Sequence, residues 1–121
     1  MSRDPYSSRV RELFDAPDHA GVAGRGPGVL VEDQGLRIGL SADLDGGTVR
    51  LLRFQARACP HVIAAAEAFC AEFEGRPAAE LLEFSSSGLM QSLSVPVEKT
   101  GRILVLEDAV RSLGRVIDET D

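Results

Sequence analysis

Cys59 is the side chain of this sequence best suited to do chemistry. It stands in Arg57-Ala58-Cys59-Pro60-His61, where strand-like alternation gives way to helical spacing behind a proline suited to the first helical position. At a helix N-terminus, unpaired N–H groups and the macrodipole favour negative charge, and so favour the thiolate that attacks electrophiles and binds soft metals. His61, two residues on, could hydrogen-bond the sulfur or supply a second metal ligand. The plainer alternative is a small cysteine buried at a tight junction. Cys70 is no partner for it: eleven helical residues separate the two by about 16 Å, too far for a shared metal or a disulfide. Cys70 also falls in an apolar stripe between Phe69 and Phe73, which assigns it to the core.

Other chemistry is sparse. The sequence has no Cys-x-x-Cys, no His-Glu-x-x-His, no phosphate-cradling glycine loop after a strong strand, and no nucleophile elbow. Gly24 to Gly28 is rich in glycine but follows no strand, so it reads as a loop. His19, in Pro17-Asp18-His19-Ala20-Gly21, reads as a solvated residue of an exposed turn. Glu98, Lys99, Glu107 and Asp108 read as the wet surface around the final helix.

The elements that must position Cys59 follow from periodicity. Val10, Leu13 and Phe14 mark a short helix from near Ser7 to Pro17, followed by a loop to Gly28. Strands are expected at Val29 to Glu32 and Leu36 to Leu44, the second alternating apolar and polar residues. A tight turn at Asp45-Gly46-Gly47 leads to a third strand from Thr48 to about Arg57. Its apolar phase slips between Leu51 and Leu52, where a bulge is expected. Val62, Ile63, Ala66, Phe69, Cys70 and Phe73 then recur at helical spacing until Gly75. Shorter helices are expected over Pro77 to Phe84 and from the Ser85-Ser86-Ser87-Gly88 cap through Leu93. The last helix begins after Thr100, with Ile103, Leu106, Val110, Leu113 and Ile117 on one face. Strands first and helices later predict an α+β fold: a small antiparallel sheet of about three strands with helices on one face.

With 121 residues, the chain is expected to be one domain, 1–121. A hydrophobic content of 44% is that of a folding chain, and a net charge of −6 argues against a nucleic-acid partner. No apolar run approaches the roughly 20 residues of a membrane span. The N-terminus, MSRDPYSSR, lacks the apolar core of a signal peptide, so a cytoplasmic protein with reduced thiols is expected.

An ordered set of motifs runs through nearly the whole chain. It comprises Tyr6-x-x-x-Val10-x-x-Leu13-Phe14-x-x-Pro17-x-x-x-Gly21, then Arg53-Phe54-x-Ala56-x-Ala58-Cys59-Pro60-x-x-Ile63-Ala64-Ala65, then Glu74-Gly75-Arg76-Pro77. Leu93-Ser94-Val95-Pro96-Val97-Glu98-Lys99 and Leu106-Glu107-Asp108-Ala109-Val110 complete it. The set resembles the IscU/NifU N-terminal family of iron–sulfur cluster assembly scaffolds. The resemblance implies the same α+β fold. It also implies a nascent [2Fe–2S] cluster held by three cysteines and a further His or Asp side chain at one end of the domain.

Cys59 matches the middle family cysteine. The first would fall at Glu32-Asp33-Gln34-Gly35 and the third at Gly101-Arg102, so two thiolates are missing, as is the family histidine before the last helix. Cys59, with His61 and Asp33 at best, is an incomplete ligand set for iron, a [2Fe–2S] cluster or zinc. In the family arrangement Arg102 would lie beside Cys59, opposing a cation while stabilising the thiolate. The resemblance implies a cysteine desulfurase and apo iron–sulfur proteins as partners. The chaperone-recognition stretch Leu-Pro-Pro-Val-Lys is altered here to Val95-Pro96-Val97-Glu98-Lys99, which removes the basis for expecting a chaperone.

Three readings result. In the first, the chain is a non-enzymatic scaffold that binds iron or accepts sulfur through Cys59 and passes it on. In the second, it is a degenerate scaffold domain that lost its cluster and serves as an interaction or regulatory module. In the third, a small thiol enzyme, no His–Asp pair is placed by sequence to act as the base.

Overall fold

The computed structural model describes residues 6–24 and 26–120. The first five residues of the segment read above for targeting, and Arg25 within the Gly24 to Gly28 stretch, lie outside the described residues.

The sheet is a meander of β1 (Gly28–Asp33), β2 (Leu36–Asp45) and β3 (Thr48–Arg57), antiparallel throughout and ordered β1-β2-β3. Four α-helices accompany it: α1 (Ser8–Asp15), α2 (Pro60–Phe73), α3 (Ser87–Ser92) and α4 (Thr100–Thr120). Single 3₁₀ segments at Ala78–Glu83 and Val97–Lys99 precede α3 and α4. This is the expected α+β architecture. Leu36, Ile38, Leu40 and Ala42 of β2 point to the helical side, where they join Phe69 and Cys70 of α2 and Ile103, Leu106, Val110 and Leu113 of α4 in one core. The alternating pattern of β2 therefore has the cause assigned to it, one face against helices and one toward water.

The chain turns where local chemistry makes it turn. Ser7 caps α1, its Oγ accepting the Val10 N–H and donating to the Leu93 carbonyl, which ties α1 to the end of α3. The β1–β2 turn places Gln34 and Gly35 at φ values of 52° and 76°, the left-handed pair that a two-residue hairpin needs. The loop after α1 crosses the outer face of the sheet, where Ser41 Oγ accepts the Ala23 N–H. At Gly26 a Cβ would lie 1.3 Å from the Ala42 carbonyl oxygen, so only glycine fits. That close approach accounts for a glycine in this loop without any phosphate.

The bulge in β3 lies one step earlier than the apolar phase suggests. Asp43 faces Leu51 and Leu44 faces Val49, which leaves Arg50 as the extra residue. Val49, Leu52 and Phe54 are buried while Leu51 is half-buried, so the slip is real but centred at Arg50, whose guanidinium pairs with the largely buried Asp43 at 3.3 Å.

The outer edge of β3 is closed by other parts of the chain. Gly21 N–H donates to Phe54 O and Phe54 N–H to His19 O, while Gly75 N–H donates to Val49 O and Val49 N–H to Arg76 O. In the gap between these clamps, Glu74 Oε2 accepts the Leu52 N–H at 2.7 Å and Arg53 Nη1 donates to Leu52 O at 2.7 Å. Arg53 also pairs with Glu74 at 2.9 Å.

His19 completes this cluster, which corrects its reading as a solvated turn residue. Its side chain is only 15% exposed, with Nδ1 against Glu67 Oε2 and Nε2 3.0 Å from Glu74 Oε1. Its backbone N–H donates to Glu67 Oε1 at 2.7 Å. The sequence around His19 is rich in turn formers, but two carboxylates from α2 and its C-cap draw the imidazole inward. Glu107 is a second correction. Its side chain is 16% exposed and accepts the Ser86 N–H and Oγ–H, so it serves the N-terminus of α3 instead of facing solvent.

Partial burial opposes the charge on His19, but hydrogen bonds and charge from Glu67 and Glu74 outweigh it and raise the pKa above the ordinary 6.5. Glu74 is lowered: burial acts against it, and the Leu52 N–H, His19 and Arg53 more than offset that. The stabilisation from His19 is therefore complete below pH 6.5 and lost as pH rises through the raised value. Thermal melts from pH 5 to 9 should show this alkaline decline in the wild type and not in His19→Gln. Glu74→Ala strips partners from Leu52 N–H, Arg53 and His19 together and should cost about 2 kcal/mol in urea denaturation, whereas Glu72→Ala, at an exposed ion pair, should cost under about 0.5 kcal/mol.

Candidate functional site

Pro60 opens α2 at its first position, and Cys59 is the N-cap residue in extended conformation, at φ −73° and ψ 163°. Its carbonyl receives the Val62 and Ile63 N–H groups, while its side chain makes no capping hydrogen bond. The Cys59 thiol is free and half-buried. The sulfur at the junction of β3 and α2 belongs to a half-buried residue packed against the core and makes no capping bond. Cys70 is fully buried on the same helix. Burial pushes its thiol pKa far up, and the Glu67 and Glu74 carboxylates add to the shift.

Three segments meet at this end of the sheet. The Cα register pairs Arg37 with Arg57 and Asp33 with Leu36, so the β1–β2 turn and the end of β3 are neighbours. Glu32, Asp33, Arg37 and Arg57 line one shallow cavity of about 420 Å³. The start of α4 reaches the same turn, since a Cβ on Gly101 would lie 3.3 Å from Gln34 Oε1. Asp33 is exposed at the end of β1, and Arg102 is half-buried in the first turn of α4. The residues singled out on β1, α2 and α4 therefore arise from elements that converge at one end of the domain.

His61 behaves differently. It is 2% exposed, and neither ring nitrogen has a hydrogen-bond partner among the described residues, so it makes no bond to the Cys59 sulfur. Its ring packs against Tyr6 with centroids 4.8 Å apart. Desolvation lowers its pKa, Lys99 lowers it further and Glu98 opposes, which identifies the 3₁₀ segment before α4 as a neighbour. Helical phase turns the second residue of α2 into the protein. Among the described residues, no group of three or more His, Cys, Asp or Glu side chains is arranged to hold a metal ion. The donors present do not make up the four-ligand set of a [2Fe–2S] cluster.

The His19, Glu67, Glu74 and Arg53 cluster escaped sequence reasoning. One signal was available: Glu67 interrupts the apolar series of α2, and a carboxylate on a buried helical face needs a partner.

No protein-family model matches the chain, and no curated protein is significantly similar to it in sequence. Solved structures are similar in fold. A NifU-like protein (N-terminal) from Brucella abortus superposes with a TM-score of 0.75 over 95% of each chain, at 16% identity. The chain has the NifU N-terminal fold. A protein of Fervidobacterium islandicum AW-1, described as an iron–sulfur cluster assembly scaffold for the SUF system, matches with a TM-score of 0.72 over 90% of this chain and 96% of the other, at 11% identity. The NifU-like fold of this chain carries one half-buried free thiol at the α2 N-cap. Among the described residues, no helix is long and apolar enough to cross a membrane.

Native-state labelling with iodoacetamide should modify Cys59 quickly and Cys70 about a hundredfold more slowly or less, with mass spectrometry of the wild type and Cys59→Ser as the readout. For His61, a lowered folded pKa means that stability is complete above pH 6.5 and falls as pH drops through 6.5 toward the folded value. His61→Leu removes an unpaired buried ring, so it should remove that acid-side loss and raise Tm by a few degrees, about 1 kcal/mol.

Proposed function

We propose that residues 1–121 act as one scaffold-like domain of iron–sulfur cluster assembly, without catalytic turnover, and that Cys59 is its working residue. The observation carrying this reading is a half-buried free thiol at the N-cap of α2, uncommitted to any capping bond, on a NifU-like fold. With one thiolate and an incomplete donor set, sulfur acceptance suits the site better than holding a complete cluster.

In the proposed step, the Cys59 thiolate attacks the outer sulfur of a persulfide on a cysteine desulfurase. The Cys59 S–S bond forms as the donor S–S bond breaks, and the donor leaves as a thiolate, so no external oxidant is needed. Arg102, on the element that converges on this end, is proposed to stabilise the anion. Asp33 and His61 are proposed only as auxiliary donors to iron or zinc, other ligands coming from a partner. His61 would have to leave its buried position to take that part. Apo iron–sulfur proteins are the proposed recipients, and the cytoplasm the proposed compartment.

The second reading, an interaction or regulatory module that has lost its cluster, is favoured by the missing donors. Incubation with a cysteine desulfurase and ³⁵S-cysteine separates the two. The scaffold reading expects label on Cys59, released by reductant, absent in Cys59→Ser and reduced several-fold in Arg102→Ala. Label absent from the wild type while the desulfurase itself is charged would favour the module. Anaerobic reconstitution is expected to leave no chelator-resistant [2Fe–2S] chromophore on the isolated protein.

A further inference from the structure

The two edges of the sheet are treated in opposite ways. Every outward backbone group of β3 from Val49 to Phe54 that the bulge and ladder leave free is met by Gly21, His19, Gly75, Arg76, Glu74 or Arg53. β1 has no such cover. The Ala42 N–H donates to Pro27 O, which sets the ladder phase, so Val29, Val31 and Asp33 bond to β2. Gly28, Leu30 and Glu32 therefore direct their N–H and C=O groups away from the sheet, and no backbone or side-chain hydrogen bond from another described segment meets them. The strand has no bulge, no proline within it and no lysine, and its charges, Glu32 and Asp33, are confined to one end. At its centre Leu30 is 56% exposed.

The occupant is indicated by the strand itself. Gly28-Val29-Leu30-Val31-Glu32 is nearly symmetric about Leu30. Antiparallel pairing with a second copy in the register Leu30 to Leu30 puts all three outward-facing residues in hydrogen-bonded pairs, Gly28 with Glu32, Leu30 with Leu30 and Glu32 with Gly28. Six backbone hydrogen bonds result. On the outer face, the two leucines cover each other. On the helical face, each half-buried Val29 meets Val31 of the second copy, a β-branched cross-strand pair. The two Glu32 carboxylates stay about 14 Å apart along the strands, beyond one screening length at physiological salt, and each stands over a glycine.

We infer that β1 is a self-pairing edge, through which two copies of this chain join their sheets into one six-stranded antiparallel sheet about a two-fold axis at Leu30. An interface of two strands is small, so the dimer is weak, in the micromolar range or above. Each copy carries a net charge of −6, so salt should strengthen the association by screening the repulsion.

Sedimentation equilibrium of the full chain from about 10 to 500 µM, at low and moderate salt, tests this. A monomer–dimer equilibrium that tightens with salt is expected, and Leu30→Lys, at an exposed position, should raise Kd at least about tenfold while leaving the circular dichroism spectrum and Tm near wild type. The register is read by oxidation with diamide in a Cys59→Ser background. Leu30→Cys should cross-link into dimers, because its Cα atoms would sit about 5.5 Å apart. Glu32→Cys, whose symmetry mate lies about 14 Å away, should not. A chain that stays monomeric over the whole range would assign the edge to a strand of another protein and overturn the inference. So would a dimer that survives Leu30→Lys, or equal cross-linking of the two cysteine variants.

Discussion

The carboxylate of Glu74 is the group on which the arrangement of this protein most depends. It lies at the C-cap of α2, where the helix has ended and the chain turns at Gly75. From there it bonds the Leu52 N–H beside the β3 bulge, the Arg53 guanidinium and the His19 imidazole. One side chain thus joins the long helix, the third strand and the loop leaving α1. Because the site is partly desolvated, each of these bonds is stronger than it would be in water, and each partner would be costly to leave unpaired. The bulge at Arg50 and the carboxylate are complementary: the extra residue sets the phase of β3, and Glu74 receives the N–H that the bulged edge presents.

Holding α2 at its C-terminal end determines where its N-terminal end points. Cys59 lies at the far end of that helix, two residues beyond the end of β3, on the side of the domain where the β1–β2 turn meets the start of α4. The rigid clamp and the free thiol are at opposite ends of one element, a common division between a stable frame and a candidate site. The two cysteines illustrate it. Cys70 is buried near Glu67 and Glu74, which together with burial favour its neutral thiol, whereas Cys59 is half-buried and its side chain makes no capping bond. His61, one residue past Pro60, is orphaned under Tyr6, which makes the Cys59 end the less well satisfied part of the structure.

The edges of the sheet express the same economy of covering. A three-stranded meander has two edges, and the segments around β3 converge on one of them because both the α1 exit and the α2 exit pass there. Among the described residues no segment pairs with the free edge of β1, although α4 packs on its helical face, since the chain leaves the strand by a two-residue turn and enters it from the loop that crosses the outer face. The open edge is thus a consequence of chain order.

Much of the frame was legible in one dimension because it is set by local periodicity. The alternation in β2, the Gly46-Gly47 turn, the proline at the start of α2 and the apolar stripe of α4 each act over a few residues, and each appeared close to where it was read. The burial of Cys70 followed from helical phase in the same way. What only the tertiary structure decided was every contact between residues far apart in the chain. His19 and Glu107 carry local signals for water, yet lie inside because Glu67, Glu74 and Ser86 reach them from 48, 55 and 21 residues away. The position of the bulge shows only in the pairing of β3 with β2, where Arg50 is the extra residue between Val49 and Leu51, and no run of apolar residues encodes it. Periodicity reports which face of an element is dry. It does not report which charged group of another element will come to meet it, because that depends on the assembled geometry.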